Sequence, residues 1–519
     1  MNVSRLQLSL LTAACALLAG CAVGPARPRP AAPDAESLRY QQCAVFFARL
    51  DEAVEHAGVG DGMGARIAGF PYLRVSRFLA SYAHETRDEA RFAAWVKRLG
   101  DLGTGGYAAE IANLPAGDAA ALQTELAAAA PELADLRKAV TLCTARLAAT
   151  DLAYQENREL LRTAARVPDD YVTGWRIVGL YYLTRIPFAA GVRRYHEETL
   201  EIFRQPAEAL PLYGELKRYV PPPGRALAAA EVAAILARSS GNALGIPEPR
   251  GADLDALFAT FAPAFEVDTV TDDDRPGALG WRGGEHPGVD VGDPVVYRRV
   301  SHTRYADRAL LQLVYSVWFP SRPKTSAWDL LGGHLDGVTW RVTLTPQGEP
   351  WVYDAMHNCG CFHMFFPTAR AGEKPQPDTL DEKSFVPQRL PAVRPDGRLA
   401  LRLEHRTHYL ERVIHGTSAT IPGTPYRFAE DDTLRSQPAP DGRRRSAFRA
   451  DGIVPGSDRF ERYFFWPMGI PAPGAMRQWG RHATAFVGRR HFDDAHLLEQ
   501  YFVLGSNAQD AAHRDLQHP

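Results

Sequence analysis

Leu311-Gln312-Leu313-Val314-Tyr315-Ser316-Val317-Trp318-Phe319 places Leu, Leu, Tyr, Val and Phe at every second position. Side chains alternate between the two faces of a strand, so this stretch reads as one β-strand with an apolar face. Val338, Trp340, Val342 and Leu344 repeat the pattern, alternating with Thr339, Arg341, Thr343 and Thr345. Pro346-Gln347-Gly348-Glu349 then supplies a turn before Trp351-Val352-Tyr353, which predicts a hairpin. Leu399 to His405, Arg462 to Trp466 and Ala483 to Val487 read as further strands. Many strands joined by Pro- and Gly-containing loops predict a mostly antiparallel sandwich or distorted barrel over residues 252–505.

Upstream the period changes. From residue 40 to about 245 the chain is rich in Ala, Leu, Glu and Arg, and apolar residues recur at three and four. Ala44, Phe47, Leu50 and Val54 form one stripe; Leu133, Leu136, Val140, Cys143 and Leu147 form another. Breakers such as Gly60-Asp61-Gly62, Pro131, Pro168, Pro187 and Pro221-Pro222-Pro223 cut this region into six to eight helices without a fixed repeat. The fold class is therefore α+β: an irregular helical domain, a Pro/Gly linker at 242–251, a short helix over Leu254 to Phe261, then the β-rich domain. Residues 506–519 form a polar tail.

A chain of 519 residues exceeds one ordinary domain. A net charge of −2 gives no global basic field, so nucleic acid is not an expected partner. Arg5 and the apolar run from Leu8 to Leu18 make residues 1–20 a secretory signal, too short to span a bilayer. Leu18-Ala19-Gly20-Cys21 resembles the lipobox of bacterial lipoproteins. That resemblance implies cleavage before Cys21, lipidation of its thiol and attachment to a membrane. Ala22, where Asp is absent, resembles lipoproteins sorted to the outer membrane, with the mature protein facing the periplasm. Residues 21–39 carry the lipidated Cys and a Pro/Ala tether. An exported chain meets an oxidising compartment, so Cys43 and Cys143, on apolar stripes of two helices, are candidates for a disulfide.

The chemistry concentrates in His357-Asn358-Cys359-Gly360-Cys361-Phe362-His363. Thirteen of the sixteen histidines lie beyond residue 250, which assigns histidine chemistry to the β-rich half. On one extended strand His357, Cys359, Cys361 and His363 share a face but span about 20 Å, too far for one ion. A bulge at Gly360 would bring them together. His405 and His408, then His302 and His334, are further donors, and His405 would point inward beside Leu401 and Leu403. Thiolate and imidazole suit zinc or copper, in a closed structural site or in an open one able to assist hydrolysis. Two other readings stand beside the metal site: a strained Cys-Gly-Cys redox disulfide, or a structural role in which one cysteine bridges to Cys43 or Cys143 or both thiols pack in a core. Asp336 and Asp354 could orient a liganding imidazole, though each reads first as a turn or solvent-facing residue. Whether the protein is an enzyme stays open, as does a partner in the envelope, protein or small molecule. The alternative is a non-enzymatic envelope scaffold.

Trp175 to Val192 is the most apolar segment after the signal. It reads as a core helix ended by Pro187, with a membrane-surface or groove-lining role as the alternative. Arg193, Arg194, His196, Glu197 and Glu198 after it read as a solvated face.

Overall fold

The computed structural model describes residues 34–391, 398–416 and 422–505. Cys21 and the 506–519 tail lie outside the described residues. The order of elements is the expected α+β one, helices first and sheets after, with no closed barrel among the described residues.

Helix α1 (Ala35–Ala57) starts at Asp34, whose carboxylate accepts the Ser37 backbone N–H. Helices α2 (Glu89–Asn113) and α3 (Leu136–Asp151) pack with it around Phe46, Phe47, Trp95, Leu99 and Val140. A hairpin of β1 (Ala65–Ile67) and β2 (Phe70–Val75), which the sequence does not announce, completes this core. Cys43 and Cys143 form a disulfide between α1 and α3, with Cα atoms 5.1 Å apart, as the apolar stripes suggest.

The β-rich half contains two main sheets. The first has β5 (Val295–Tyr305), β6 (Arg308–Arg322), β7 (Gly333–Leu344), β8 (Pro350–His357) and β9 (Met364–Pro367) as an antiparallel meander. The predicted hairpin joins β7 to β8, with Gly348 at φ +80° in its turn. The second sheet is mixed: β3 (Glu215–Val220) and β4 (Ala264–Thr269) are antiparallel, while β10 (Leu399–Leu403) runs parallel to β4 and antiparallel to β11 (Leu410–His415). Strand β12 (Gly423–Pro425) pairs with β3, and two residues later β13 (Arg427–Glu430) pairs with β5. The chain thus passes from one sheet to the other at Tyr426, whose hydroxyl donates to Pro263 O at 2.8 Å. Phe265, Val267, Leu401 and Leu403 from one sheet share an apolar cluster with Leu313, Tyr315, Val338 and Trp340 from the other. Helices α5 (Ala229–Ser239) and α6 (Ala252–Phe261) contribute Val232, Leu236, Leu257 and Phe258 to the same cluster.

The polar residues of the alternating strands are buried too. Gln312 donates to Thr343 at 3.1 Å, Ser316 and Thr339 share a proton at 2.7 Å, and Arg341 grips Asp354. C-terminal loops cover this face; the Arg341 guanidinium lies 3.7 Å from the Phe492 ring centroid. These loops replace two predicted strands. Arg462–Phe465 is helical, and Ala483 to Val487 holds only an isolated bridge from Ala483 to His491.

The segment from Trp175 to Val192 departs most from its sequence reading. A short helix, Thr173–Val178, meets α4 (Tyr181–Arg204) at Leu180, whose φ is +50°. The break falls there, and α4 continues through Pro187 rather than ending at it. Ile177, Val178, Leu180, Tyr182 and Leu183 are exposed, so this is no core helix. Among the described residues no helix is long and apolar enough to cross a membrane.

Candidate cavity at the cysteine turn

Strand β8 ends at His357, and the next six residues turn away instead of continuing it. His357 N–H donates to Cys361 O at 3.0 Å and Gly360 N–H to His357 O at 2.7 Å, closing a tight loop. Gly360 sits at φ +94°, and a Cβ there would lie 2.5 Å from Ala483 O, so glycine is required twice over. Asn358 pins the loop from below. Its amide donates to Val317 O at 3.1 Å and accepts from Thr339 at 2.8 Å, while its backbone carbonyl receives Arg477 N–H at 2.9 Å.

This turn separates the residues that an extended strand would have aligned. His357 donates from Nδ1 to Asp336 at 3.3 Å, while His363 pairs through Nε2 with Asp354 at 3.0 Å. Asp354 is itself held by Arg341. His408 stacks on Phe319 at 3.9 Å and also pairs with Asp336, at 2.9 Å. Strand β10 stops at Leu403, so His405 does not point inward with Leu401; it lies against Tyr213 at 4.4 Å. His302 and His334 bond to Pro247 O and Pro287 O, respectively. Among the described residues no three His, Cys, Asp or Glu side chains converge in a way that could hold a metal ion. The zinc or copper site expected at His357, Cys359, Cys361, His363, His405 and His408 is therefore not formed. Asp336 and Asp354 do orient imidazoles, and both carboxylates are buried.

The electrostatics of these pairs follow from burial. Burial opposes ionisation of Asp336, but the charge and hydrogen bonds of His357 and His408 outweigh it and hold the carboxyl well below its usual range. Burial pushes His363 down to about 4, against the pull of Asp354. His363 is thus a neutral ring held by a carboxylate at neutral pH.

The cysteines are both free thiols, so neither bridges to Cys43 or Cys143. Cys359 Sγ accepts Cys361 N–H at 3.4 Å and packs with Trp318 and Leu335. Cys361 is raised well above the ordinary thiol range, by its hydrogen bond with Cys359 and then by burial. A thiol raised in this way is a poor nucleophile, the reverse of what a thiol oxidant needs.

Both cysteines line a cavity of about 490 Å³. Its other walls come from α4 through Phe188, Val192, Tyr195 and His196, and from the C-terminal loops through Phe465 and Phe486. Tyr195 meets Phe362 at 5.1 Å, and Phe362 meets Tyr409 at 4.6 Å, forming an aromatic floor. His196, expected on a solvated face, stacks on Phe385 at 4.0 Å, and burial lowers it to about 4. Two carboxyls reach the wall. Glu382 accepts the backbone N–H groups of Phe486 and Val487 at 2.6 and 3.0 Å. Glu461 is buried, and its carboxyl has no ion-pair partner among the described residues; burial raises it to about 7 despite Arg459, Arg322 and Arg477 nearby. The sequence analysis missed Tyr195, His196 and Glu461. The first two carried a signal: Phe188, Val192, Tyr195 and His196 recur at helical spacing on one face. Glu461 carried none.

Comparison with protein-family models, with curated proteins and with solved structures finds no match to the chain.

Proposed function

We propose that this chain is a lipid-anchored envelope protein, held at the outer membrane and facing the periplasm, that binds the apolar part of a small amphiphilic ligand. The cavity beside Cys359 and Cys361 carries the reading. Its volume of about 490 Å³ lies in the range of small-molecule sites, and its walls are aromatic and aliphatic with few polar groups. Glu461 is the polar group best placed to meet a ligand's head, because its carboxyl has no ion-pair partner among the described residues. The lipobox-like sequence at 18–21 supports the anchor, and the Cys43–Cys143 disulfide accords with an oxidising compartment. The neighbouring chemistry favours binding over covalent catalysis. The Cys361 thiol is raised well above its ordinary range, so no thiolate nucleophile is supplied at the cavity wall.

The test uses Gly191, on the cavity wall within α4, where an added Cβ meets open space. Gly191→Leu projects a side chain into the cavity at a helix position that favours Leu over Gly by roughly 0.5–1 kcal/mol. Titration of the purified protein with a fluorescent long-chain fatty acid should show saturable binding. Gly191→Leu should weaken it about tenfold or more while thermal stability is kept or raised. Absence of saturable binding, or equal binding by Gly191→Leu, would overturn the proposal.

A further inference from the structure

The segment around Leu180 is folded inside out. Arg176 is only 8% exposed, whereas Ile177, Val178, Leu180, Tyr182 and Leu183 are 63–77% exposed. The burial of Arg176 is well supported. Its guanidinium donates to Met468 O at 2.8 Å and Gly488 O at 2.7 Å, and lies over the rings of Tyr171 and Tyr181 at 4.6 and 4.3 Å. A fold that houses the arginine and presents its aliphatic neighbours to solvent leaves a continuous apolar tip. Such patches on soluble domains mark interaction surfaces.

We propose that this tip docks on the surface of a phospholipid bilayer and sets the cavity mouth against the acyl chains. The inference rests on the apolar-ligand reading of the cavity and extends it to the source of the ligand. Continuity is the first argument. Ile186 leads directly into Pro187 and Phe188 on the cavity wall, and exposed Phe464 leads into Phe465 on the opposite lip. Phe188 and Phe465 meet at 5.1 Å, so the exposed residues on both sides rim one opening.

Charge is the second argument. From Tyr171 to His196 the chain contains four arginines and no Asp or Glu. Arg193 and Arg194 are exposed on α4 beside the cavity-lining residues; Arg194 pairs with Glu198 at 2.8 Å, which leaves Arg193 to meet an anionic headgroup. Exposed Trp175 and Tyr182 are the aromatic types that settle at a membrane interface.

Reach is the third argument. If Cys21 carries the lipid, residues 22–34 can reach at most about 45 Å, at ~3.3–3.6 Å per residue. A folded body of this size is about 60 Å across. The tether is shorter than the body it holds, so the bilayer stays within contact range of the surface.

The experiment uses the full chain with Cys21→Ser, which removes the acyl anchor, and vesicles of phosphatidylethanolamine and phosphatidylglycerol with or without brominated acyl chains. In a Trp466→Phe background, which removes the tryptophan beside Phe465 on the lip, insertion of the tip predicts quenching of tryptophan fluorescence by the brominated vesicles, lost in Trp175→Phe. Ile177→Glu with Leu183→Glu should lower vesicle partitioning about tenfold or more, with an unchanged melting curve because both sites are exposed. Quenching that survives Trp175→Phe, or partitioning insensitive to the two glutamates, would overturn the proposal. So would a dimer in solution that Ile177→Glu with Leu183→Glu dissociates, since the tip would then be covered by a second copy. The vesicle-free fatty-acid titration separates the two readings: saturable binding without bilayer docking overturns only the docking, whereas failure of both removes the cavity reading as well.

Discussion

Replacing Glu461 by Gln should stabilise the protein at neutral pH and leave it unchanged in acid. Glu461 is 2% exposed, and burial raises its carboxyl from 4.5 to about 7. In the unfolded chain the group regains its ordinary value. Below pH 4.5 both states hold the proton, so the carboxyl costs nothing on that account. As pH rises from 4.5 to 7 the unfolded chain releases the proton while the folded chain keeps it, and stability falls by ~1.4 kcal/mol per pH unit. Above 7 both states are ionised and the loss levels off at about 3 kcal/mol. Glutamine has the same shape and no such titration. The difference in urea unfolding free energy, Glu461→Gln minus wild type, should therefore climb between pH 4.5 and 7 and stay flat beyond. Any constant offset from the amide's own contacts leaves that slope intact. Glu411 is raised to about 7 by burial as well, but it titrates in both proteins and cancels in the difference. A difference that is flat from pH 4.5 to 8, or one that falls with pH, would refute the assignment of a protonated, unpaired carboxyl to the cavity wall. A bound fatty acid, whose carboxylate is best met by the protonated form of Glu461, should push the Glu461 midpoint upward, which ties the titration to the proposed function.

Three further outcomes are expected. The Cys43–Cys143 bridge closes a separation of 100 residues, so Cys43→Ser with Cys143→Ser should lose about 3–5 kcal/mol; denaturation with and without reductant should show that reduction weakens the wild type and not the variant. Arg341 and Asp354 are fully buried together, so Arg341→Met strands the carboxylate and should cost about 3–5 kcal/mol in urea unfolding, whereas Arg341→Met with Asp354→Leu should recover much of that loss. Cys361 should alkylate with iodoacetamide at least about tenfold more slowly than free cysteine at pH 8, and a bound fatty acid should slow it again; a rate equal to free cysteine would exclude the protonated apolar thiol.

The sheet was legible because its signal is local. Residues 311–319 and 338–345 alternate on the two-residue period of the pleat, and Gly348 marks the turn that the hairpin needs. The second sheet was not, because the parallel pairing of β4 with β10 joins residues 264–267 to residues 400–403, and no local pattern records a partner that distant. Arg462–Phe465 shows the opposite failure. Four residues rich in aromatics read as a strand by propensity, yet Phe465 packs on Phe188 and Phe486 from a helical turn, and tertiary contact decides.

The site was half legible for a related reason. Composition located it, since both free thiols and two imidazoles, His357 and His363, lie within the seven residues that end β8 and form the turn. Spacing then misassigned it, because the metal reading needs the side chains to converge, and convergence is a property of where the backbone goes at Gly360 and Phe362. Both residues take positive φ, +94° and +59°, and this swings His363 toward Asp354 while His357 stays on Asp336. A carboxylate on one ring nitrogen leaves the other available to a metal, so the aspartates do not decide against the site; it fails because, among the described residues, the remaining donors do not converge.

The same logic explains the tip at Leu180. Hydrophobic stretches are usually buried, and that rule places Ile177 and Leu183 in a core. The rule weighs apolar area alone. Here Arg176 finds two backbone carbonyls and two aromatic rings on the inner side, which no aliphatic side chain in its place could use. With helical geometry fixing which neighbours share a face, burying Arg176 turns Ile177 and Val178 outward, and Leu180, four residues on, is outward because the helix ends at Val178 and Leu180 takes a left-handed conformation. An apolar face left in water costs free energy that a solitary soluble protein gains nothing by carrying, and contact with a bilayer beside the cavity mouth would remove that cost.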